Sequence, residues 1–252
     1  MLRWFGCEVG EETIAGDGRN SVNGGAAAAS QAKRLSVSGD GVLTAKDLVV
    51  PGDVSSAAFF LSAGASLRGS ALVLENVGLN PSRIAVIDAL KRFGANIAIR
   101  NERTAGNEPV GDILVTGGIE RRPGRENALR GEIIANLIDE IPILAVFGTQ
   151  LEGGLEIRDA RELRVKESDR IASVVTNLKA MGAEVEEFED GLRVERSDLK
   201  GTTIDSFGDH RIAMAFAVAG LLAQGETEIK GAGCAAVSYP HFFEDLESVC
   251  QL

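Results

Sequence analysis

An apolar pattern of helical spacing begins directly behind a strongly charged stretch, residues 161–170. The apolar positions of the pattern are Ile171, Val174, Val175, Leu178 and Met181. Their spacing predicts a helix with one buried face. Ser168 is the predicted N-cap, so Lys166 and Glu167 lie in the loop before the first turn. A helix start offers unpaired N–H groups and a partial positive charge, and Arg170 adds a formal charge there. This end of the helix therefore suits an anion.

Two further charged helix starts are predicted. Asp209 is the expected N-cap of a helix with Arg211 in its first turn. Residues 212–222 of that helix are apolar nearly all round, which indicates burial on most sides. The third start contains Asp139 and a proline, Pro142, that is tolerated only in a first helical turn. Asp139 is accordingly a helix cap, a catalytic group, or both.

An internal repeat organises the chain. Gly6, Gly94 and Gly182 are 88 residues apart, and each follows a helical pattern and precedes a strand pattern. Asn80, with a proline after it, lies as far before Gly94 as Ser168 lies before Gly182, so both are predicted N-caps. Alanine-rich helices alternate with short strands from position 53 onward. The pattern predicts an α/β repeat fold rather than a helical bundle.

Residues 1–50 differ from the rest and contain one repeat fragment. A loop over Gly16–Lys33, rich in Gly, Ala, Ser and Asn, is expected to be flexible. Strands are predicted at Leu35–Val37 and Leu48–Val50. The predicted domains are therefore residues 1–50 and residues 51–252.

Composition narrows the function classes. A formal charge of −11 argues against a nucleic-acid or anionic-membrane partner, and an anionic ligand would need a local cationic site. The sequence lacks an apolar run of membrane-spanning length and a signal-peptide pattern. Cys7, Cys234 and Cys250 are few and far apart, which predicts reduced thiols in a cytoplasmic protein. With His210 and His241 as the only histidines, a zinc site is not expected.

Six motifs carry a resemblance to a known family. They are, in chain order, VPGDVSSAAFF, GLNPSR, LIDEIPILAV, ELRVKESDRI, GDHRIAMAFAVAGL and VSYPHFF. In this order they resemble the C-terminal portion of 3-phosphoshikimate 1-carboxyvinyltransferase (EPSP synthase), of the enolpyruvyl transferase family. The resemblance implies one lobe of the two-lobe enolpyruvyl transferase fold, an α/β fold of repeated βαβαββ-type units with buried helices under sheets. Residues 51–252 would be the C-terminal lobe, and residues 1–50 the trailing strands of an N-terminal lobe that is otherwise missing.

The resemblance also implies a reaction without metal or organic cofactor. The family transfers the carboxyvinyl group of phosphoenolpyruvate to the 5-hydroxyl of shikimate 3-phosphate, in aromatic amino-acid biosynthesis, through a tetrahedral intermediate. Asp139 matches the carboxylate at the reacting hydroxyl, and Glu167 the acid–base residue at the methylene carbon. Lys166 matches a residue that reaches both shikimate 3-phosphate and phosphoenolpyruvate. Arg170 and Arg211 match the pair that holds the phosphoenolpyruvate carboxylate.

Other interpretations of these residues stay open. Asp139 could be a plain cap, and Glu167 could serve only in an i, i+3 salt bridge to Arg170. His210 is assigned no catalytic step. Val237 stands where some family members carry a lysine near phosphoenolpyruvate, and its aliphatic side chain cannot bind an anion.

Two alternative functions remain. One is an enzyme like UDP-N-acetylglucosamine enolpyruvyltransferase, which shares the fold and the donor; the other is a non-catalytic fragment that only binds a complementary half. With either lobe alone, the set of catalytic groups is incomplete. The chain by itself is therefore expected to be inactive, with the missing N-terminal lobe as a candidate partner.

Overall fold

The computed structural model of the protein describes residues 1–14, 32–121 and 126–250. By their contacts the residues form two units. The first comprises Met1–Val50 with Thr104–Pro109, and the second comprises Pro51–Arg103 with Val110–Leu252. That these units correspond to parts of two different lobes stays a prediction.

The first unit contains an antiparallel pair of strands, β1 (Val9–Ile14) and β2 (Ala32–Val37). The predicted strand at residues 35–37 is part of β2. The strand predicted at residues 48–50 is wrong: these residues have no strand conformation, and Val49 and Val50 are exposed. A β-branched run needs a neighbouring strand to bury and hydrogen-bond it, and the described part of the chain supplies none there. Of the loop predicted over residues 16–33, residues 16–31 lie outside the described residues, and residues 32–33 belong to β2 instead of the loop.

The second unit is built around α-helices. They are α1 (Val54–Ser66), α2 (Ala85–Arg92), α3 (Ile133–Leu137), α4 (Ile141–Gly148), α5 (Arg170–Ala180), α6 (His210–Leu222) and α7 (Phe242–Val249). Two short 3₁₀ helices, Arg161–Val165 and Ala232–Val237, lie between them. Among the residues that the structure describes, no helix is both long enough and apolar enough to cross a membrane.

Strands alternate with these helices in three sheets. The strands are β3 (Ala71–Gly78), β4 (Asn96–Ala105), β5 (Glu108–Thr116), β6 (Ala128–Leu129), β7 (Leu155–Ile157), β8 (Val185–Phe188), β9 (Gly191–Val194), β10 (Thr203–Asp205) and β11 (Glu228–Lys230). The sheet orders are β3-β5-β4, β6-β7-β9-β8 and β10-β11. In the second sheet β6 and β7 are parallel, whereas β9 runs antiparallel to both of its neighbours. The predicted α/β class is confirmed.

The helices α1, α4 and α6 pack against one another in the core. Every residue of α4 is buried, as are eight consecutive residues of α6, Ile212–Ala219. Small residues let these helices approach the sheets closely: a Cβ added at Gly148 would lie 2.7 Å from the Leu155 Cβ. Burying a helix on all sides fixes its axis, and so it fixes where its charged first turn lies.

The helix ends confirm some predictions and correct others. Gly94 and Gly182 follow α2 and α5 with φ of 101° and 82°, as a C′ glycine requires. Asp169 caps α5, not Ser168: an Asp169 oxygen accepts from the Ala172 N–H at 3.0 Å. The Ser168 hydroxyl donates instead to Asp209 Oδ2 at 3.2 Å, and the second Asp169 oxygen binds Arg164.

Asn80 is not the cap of α2, which begins five residues later. Its side-chain oxygen instead accepts from the Ser82 N–H at 3.1 Å, in a turn over residues 81–84. Such a local side-chain bond competes with helix formation.

Candidate active site

Three helix starts converge at one place, and four predicted site residues meet there: Asp139, Glu167, Arg170 and Arg211. Arg170, the first residue of α5, is the centre, and its side chain is only 1% exposed. Its Nε donates to Asp209 Oδ2 at 2.7 Å, at the start of α6. Its Nη1 donates to Asp139 Oδ1 at 3.2 Å, in the turn before α4, and its Nη2 to Glu167 Oε2 at 2.6 Å. One guanidinium thus joins three carboxylates from separate parts of the chain.

Asp209 is the buried partner of Arg170 and also the predicted cap of α6. Its Oδ1 accepts from the Arg211 N–H at 2.9 Å, which confirms the cap. Burial raises the pKa of Asp209, but the hydrogen bond and charge of Arg170, with the Arg211 N–H and the Ser168 hydroxyl, outweigh it. The pKa of Asp209 therefore lies below its usual range, and the carboxylate is held ionised.

Asp139 lies between two arginines and does not cap α4. The Arg211 Nη1 donates to the Asp139 carbonyl oxygen at 3.0 Å, and the Arg211 Nη2 lies 3.7 Å from Asp139 Oδ2. The N-cap position of α4 is Glu140, which makes no side-chain cap bond. The cap prediction fails because Pro142 removes an N–H that a cap would bind, while two guanidinium groups attract the Asp139 carboxylate.

Glu140 was overlooked as part of this cluster, although it stands beside Asp139 in the sequence. It is 5% exposed, and its Oε1 lies 3.7 Å from the Arg211 Nη1. Burial raises the pKa of Glu140, and the Ser55 hydroxyl and the Arg211 charge only partly offset this. Next to it is a pocket of about 170 Å³, lined by Ser55, Ser82, Arg83, Ala135, Asn136, Ile138, Asp139 and Glu140.

Lys166 and Glu167 differ in their placement. The Glu167 side chain is 51% exposed and makes the predicted i, i+3 pair with Arg170. The Lys166 ammonium pairs instead with Glu162, at 2.6 Å. The structure therefore brings Asp139, Glu167, Arg170 and Arg211 together and directs Lys166 to a surface carboxylate.

His210 and Val237 contribute less. Burial, with the charges of Arg211 and Arg170, lowers the pKa of His210, and the Asp209 charge only partly opposes this. These surroundings favour the neutral imidazole of His210. Val237, in the 3₁₀ helix Ala232–Val237, is 83% exposed. Among the described residues, no group of three or more His, Cys, Asp or Glu side chains is arranged to hold a metal ion.

Comparison with known proteins supplies a family. A family model described as EPSP synthase (3-phosphoshikimate 1-carboxyvinyltransferase) matches residues 22–246. The 3-phosphoshikimate 1-carboxyvinyltransferase of Koribacter versatilis (strain Ellin345) is 52% identical over 221 residues, which are 86% of this chain and 50% of that protein. That of Salinibacter ruber (strain DSM 13855 / M31) is 49% identical over 223 residues, again 86% and 50%. The chain spans about half the length of the curated relatives it matches.

Solved structures agree. An EPSP synthase from Acinetobacter baumannii is 36% identical with a TM-score of 0.83, over 98% of this chain and 53% of that one. The enolpyruvyl transferase NikO from Streptomyces tendae is 19% identical with a TM-score of 0.69, over 98% and 51%, which shows a shared fold alone. The enolpyruvyl transferase fold predicted from the motifs is thereby confirmed.

Proposed function

The chain belongs to the EPSP synthase family, and from that membership we propose that it carries the C-terminal half of a carboxyvinyl-transfer site. The reaction would join the 5-hydroxyl oxygen of shikimate 3-phosphate to C2 of phosphoenolpyruvate, while the methylene carbon gains a proton. Loss of a proton from the new methyl group and departure of phosphate would then restore the double bond. Such chemistry needs a proton acceptor, a proton donor and cations for the anionic groups.

The observation that carries the proposal is the meeting of two arginines with two accessible carboxylates. Asp139 and Glu167 are 37% and 51% exposed, although the arginine between them is buried. We assign Asp139 to the hydroxyl and Glu167 to the methylene carbon. Both carboxylates bind a guanidinium, which orients them for proton transfer.

The arginines supply the carboxylate site. A planar guanidinium matches a carboxylate with two parallel hydrogen bonds. Arg211 is 14% exposed, whereas the donors of Arg170 are occupied by three carboxylates. We infer that an incoming carboxylate displaces Glu167 or Asp139 from Arg170, because Asp209 is fully buried and caps α6. Displacing Glu167 would free it to act on the bound donor.

We assign Lys166 to the binding of both shikimate 3-phosphate and phosphoenolpyruvate. Its ammonium group must then break its ion pair with Glu162. The pair it leaves is weak, because Glu162 is 64% exposed and an exposed i, i+4 pair contributes only about 0.3–0.5 kcal/mol. A doubly charged phosphate is a stronger attraction for the ammonium than that carboxylate. The cytoplasm is the proposed compartment, since all three cysteines are free thiols.

We propose that this chain alone has no measurable transferase activity. Its matched relatives are about twice as long, and the second half would add further cations and exclude water from the site. In water a pair of unit charges 4 Å apart gains only about 1 kcal/mol, far less than in a closed site. A complementary half, provided as a separate chain, would be the protein partner.

The test is release of phosphate from phosphoenolpyruvate in the presence of shikimate 3-phosphate, using protein from a host without its own enzyme. The chain is assayed alone, and then with a complementary N-terminal half taken from a relative. Activity should appear only in the mixture. Calorimetric titration of both ligands into the mixture separates a binding fragment, which gives heat without phosphate release, from an enzyme. Sustained release by the lone chain would contradict the half-site proposal.

A further inference from the structure

The guanidinium of Arg164 makes four hydrogen bonds just before the loop that carries the acid–base residue. Its Nε donates to the Glu189 carbonyl oxygen at 2.8 Å. Its Nη2 donates to the Phe188 carbonyl oxygen at 2.6 Å and to Glu187 Oε1 at 3.0 Å. Its Nη1 donates to Asp169 Oδ2 at 2.9 Å. No ligand role has been assigned to any of these four partners.

The bond to Asp169 links Arg164 to the start of α5. One Asp169 oxygen caps the helix through the Ala172 N–H, while the other binds Arg164. Arg164 therefore closes residues 165–168 into a loop whose two ends are joined by one side chain. Lys166 and Glu167 lie inside this loop.

Two of the other three bonds attach the loop to the end of β8, at Glu187 and Phe188, and the third attaches it to Glu189 in the turn between β8 and β9. That turn is itself fixed: Asp190 accepts from the Arg158 Nε at 2.9 Å and from the Asp159 N–H at 3.0 Å. Its carbonyl oxygen accepts from the Ala160 N–H at 2.7 Å, and the Arg158 guanidinium lies 4.4 Å from the centre of the Phe188 ring. Arg164 thus connects the loop to a well-held part of the second sheet.

We propose that Arg164 is a positioning residue, which sets the places of Lys166 and Glu167 through Asp169, the end of β8 and the β8–β9 turn. Glu167 binds Arg170 through its carboxylate, but it is half exposed and projects from a loop, so the course of the loop decides whether that carboxylate is in place. Displacement of a catalytic group by about 1 Å can cost about a hundredfold in rate. The effect on turnover rests on the proposed function, whereas the effect on the loop does not.

Three variants of this chain test the positioning directly. Arg164→Gln removes the charge and the fork of donors, and Arg164→Lys keeps only a point charge. The matched control is Arg161→Gln, because Arg161 lies in the same 3₁₀ helix and binds Glu189 of the same turn, at 2.8 Å, but is 76% exposed. Hydrogen exchange is measured for the backbone amides of residues 165–172 and, as a reference, of α6.

We expect exchange in residues 165–172 to be faster by about tenfold or more in Arg164→Gln, with α6 unchanged, because only local opening is affected. Arg164→Lys should lie between this variant and the original chain, and Arg161→Gln should match the original. Exchange at the original rate in Arg164→Gln, or equal acceleration in α6, would overturn the proposal.

Turnover in the mixture with the complementary half is the second measurement. Arg164→Gln should lower kcat by about tenfold or more with a smaller change in KM, since the reacting groups and not the binding surface are displaced. A purely structural role would lower the melting temperature and leave kcat per folded molecule unchanged, and that result would also overturn the proposal. If the unaltered mixture has no activity, the transfer function fails, and the exchange measurement decides the role of Arg164 alone.

Discussion

The helices α5 and α6 both begin behind an aspartate cap, and an arginine binds each cap. Asp169 is 38% exposed, and its arginine, Arg164, comes from five residues earlier. Asp209 is fully buried, and its arginine, Arg170, comes from 39 residues earlier. Asp169 is therefore held by a residue close to it in sequence, whereas Asp209 is held by a residue of another helix, α5.

This difference distinguishes the part of the site that is fixed from the part that can move. A half-exposed ion pair is screened by water and contributes little, whereas a buried one cannot lose a partner without leaving an unpaired charge. The α6 start therefore fixes Arg170, and the loop before α5 supplies the exposed carboxylate that can move. The Arg170 guanidinium binds one partner of each kind, the buried Asp209 and the exposed Glu167.

The largest effect is expected from removing the buried cap. Asp209→Asn keeps a capping oxygen but removes the charge beside Arg170, and loss of one partner of a buried ion pair costs about 3–5 kcal/mol. Because Asp139 and Glu167 still bind Arg170, we expect the lower end, about 3 kcal/mol. Denaturant unfolding of the chain measures it.

The matched control is Asp169→Asn at the other helix start. It also keeps a capping oxygen, and it removes a charge from a partly exposed pair, so we expect a loss of at most about 1 kcal/mol. If the two substitutions destabilise the chain equally, the distinction between the two helix starts is wrong.

Glu167 should show the reverse behaviour. In the mixture with the complementary half, Glu167→Gln should lower kcat by about a hundredfold or more, as loss of a general acid–base group does. The free energy of unfolding should change by at most about 1 kcal/mol, because Glu167 is half exposed and Arg170 keeps Asp139 and Asp209 as partners. Turnover near that of the original chain would leave Glu167 only its salt bridge.

Substitutions of Asp139 test whether this residue caps α4 or takes part in the reaction. Because Asp139 makes no cap bond, Asp139→Asn and Asp139→Ala should unfold at similar denaturant concentrations, within about 0.5 kcal/mol of each other. Both should lower kcat by at least about tenfold if Asp139 accepts the hydroxyl proton. A markedly more stable Asn variant would mean that a side-chain oxygen at residue 139 stabilises the fold, either as a cap or as the acceptor from Arg170. An Asn variant of full activity would remove Asp139 from the reaction.

Local rules predicted much of this fold and part of this site. The glycines after α2 and α5, the apolar helices α4 and α6 and the Asp209 cap follow from short-range spacing, and the structure has them all. The spacing to Gly182 predicts Ser168 as the cap of α5, one residue before the observed cap, Asp169. Long-range contacts separate the two residues: the Ser168 hydroxyl donates to Asp209, and Asp169 binds Arg164.

The rest depends on partners that are distant in sequence. Arg170 binds carboxylates 31 and 39 residues away, and Arg211 binds the Asp139 carbonyl oxygen 72 residues away. No local pattern shows which charged helix starts will meet, because packing of α1, α4 and α6 decides it. The motifs supplied these assignments through family resemblance, and they did not show that three carboxylates would share Arg170.

The smallest expected effect is the pH response of the two histidines, one at the α6 start and one on the surface. The pKa of His210 is lowered in the folded chain, first by burial, so its stabilising contribution is present above the unfolded pKa of about 6.5 and is lost as pH falls. The pKa of His241 is raised, first by its hydrogen bond to Glu244, so its contribution is present at low pH and lost as pH rises.

The two histidines therefore oppose each other between pH 7.5 and about pH 5, and single substitutions separate them. His210→Gln should remove part of the stability that the chain loses on acidification, because the lowered pKa of His210 makes the unfolded chain bind the proton more readily. His241→Gln should make the loss slightly steeper. Urea midpoints at both pH values measure each slope. If His210→Gln leaves the slope unchanged, the α6 start does not hold a neutral histidine, and the contrast with the exposed start of α5 rests on Asp209 alone.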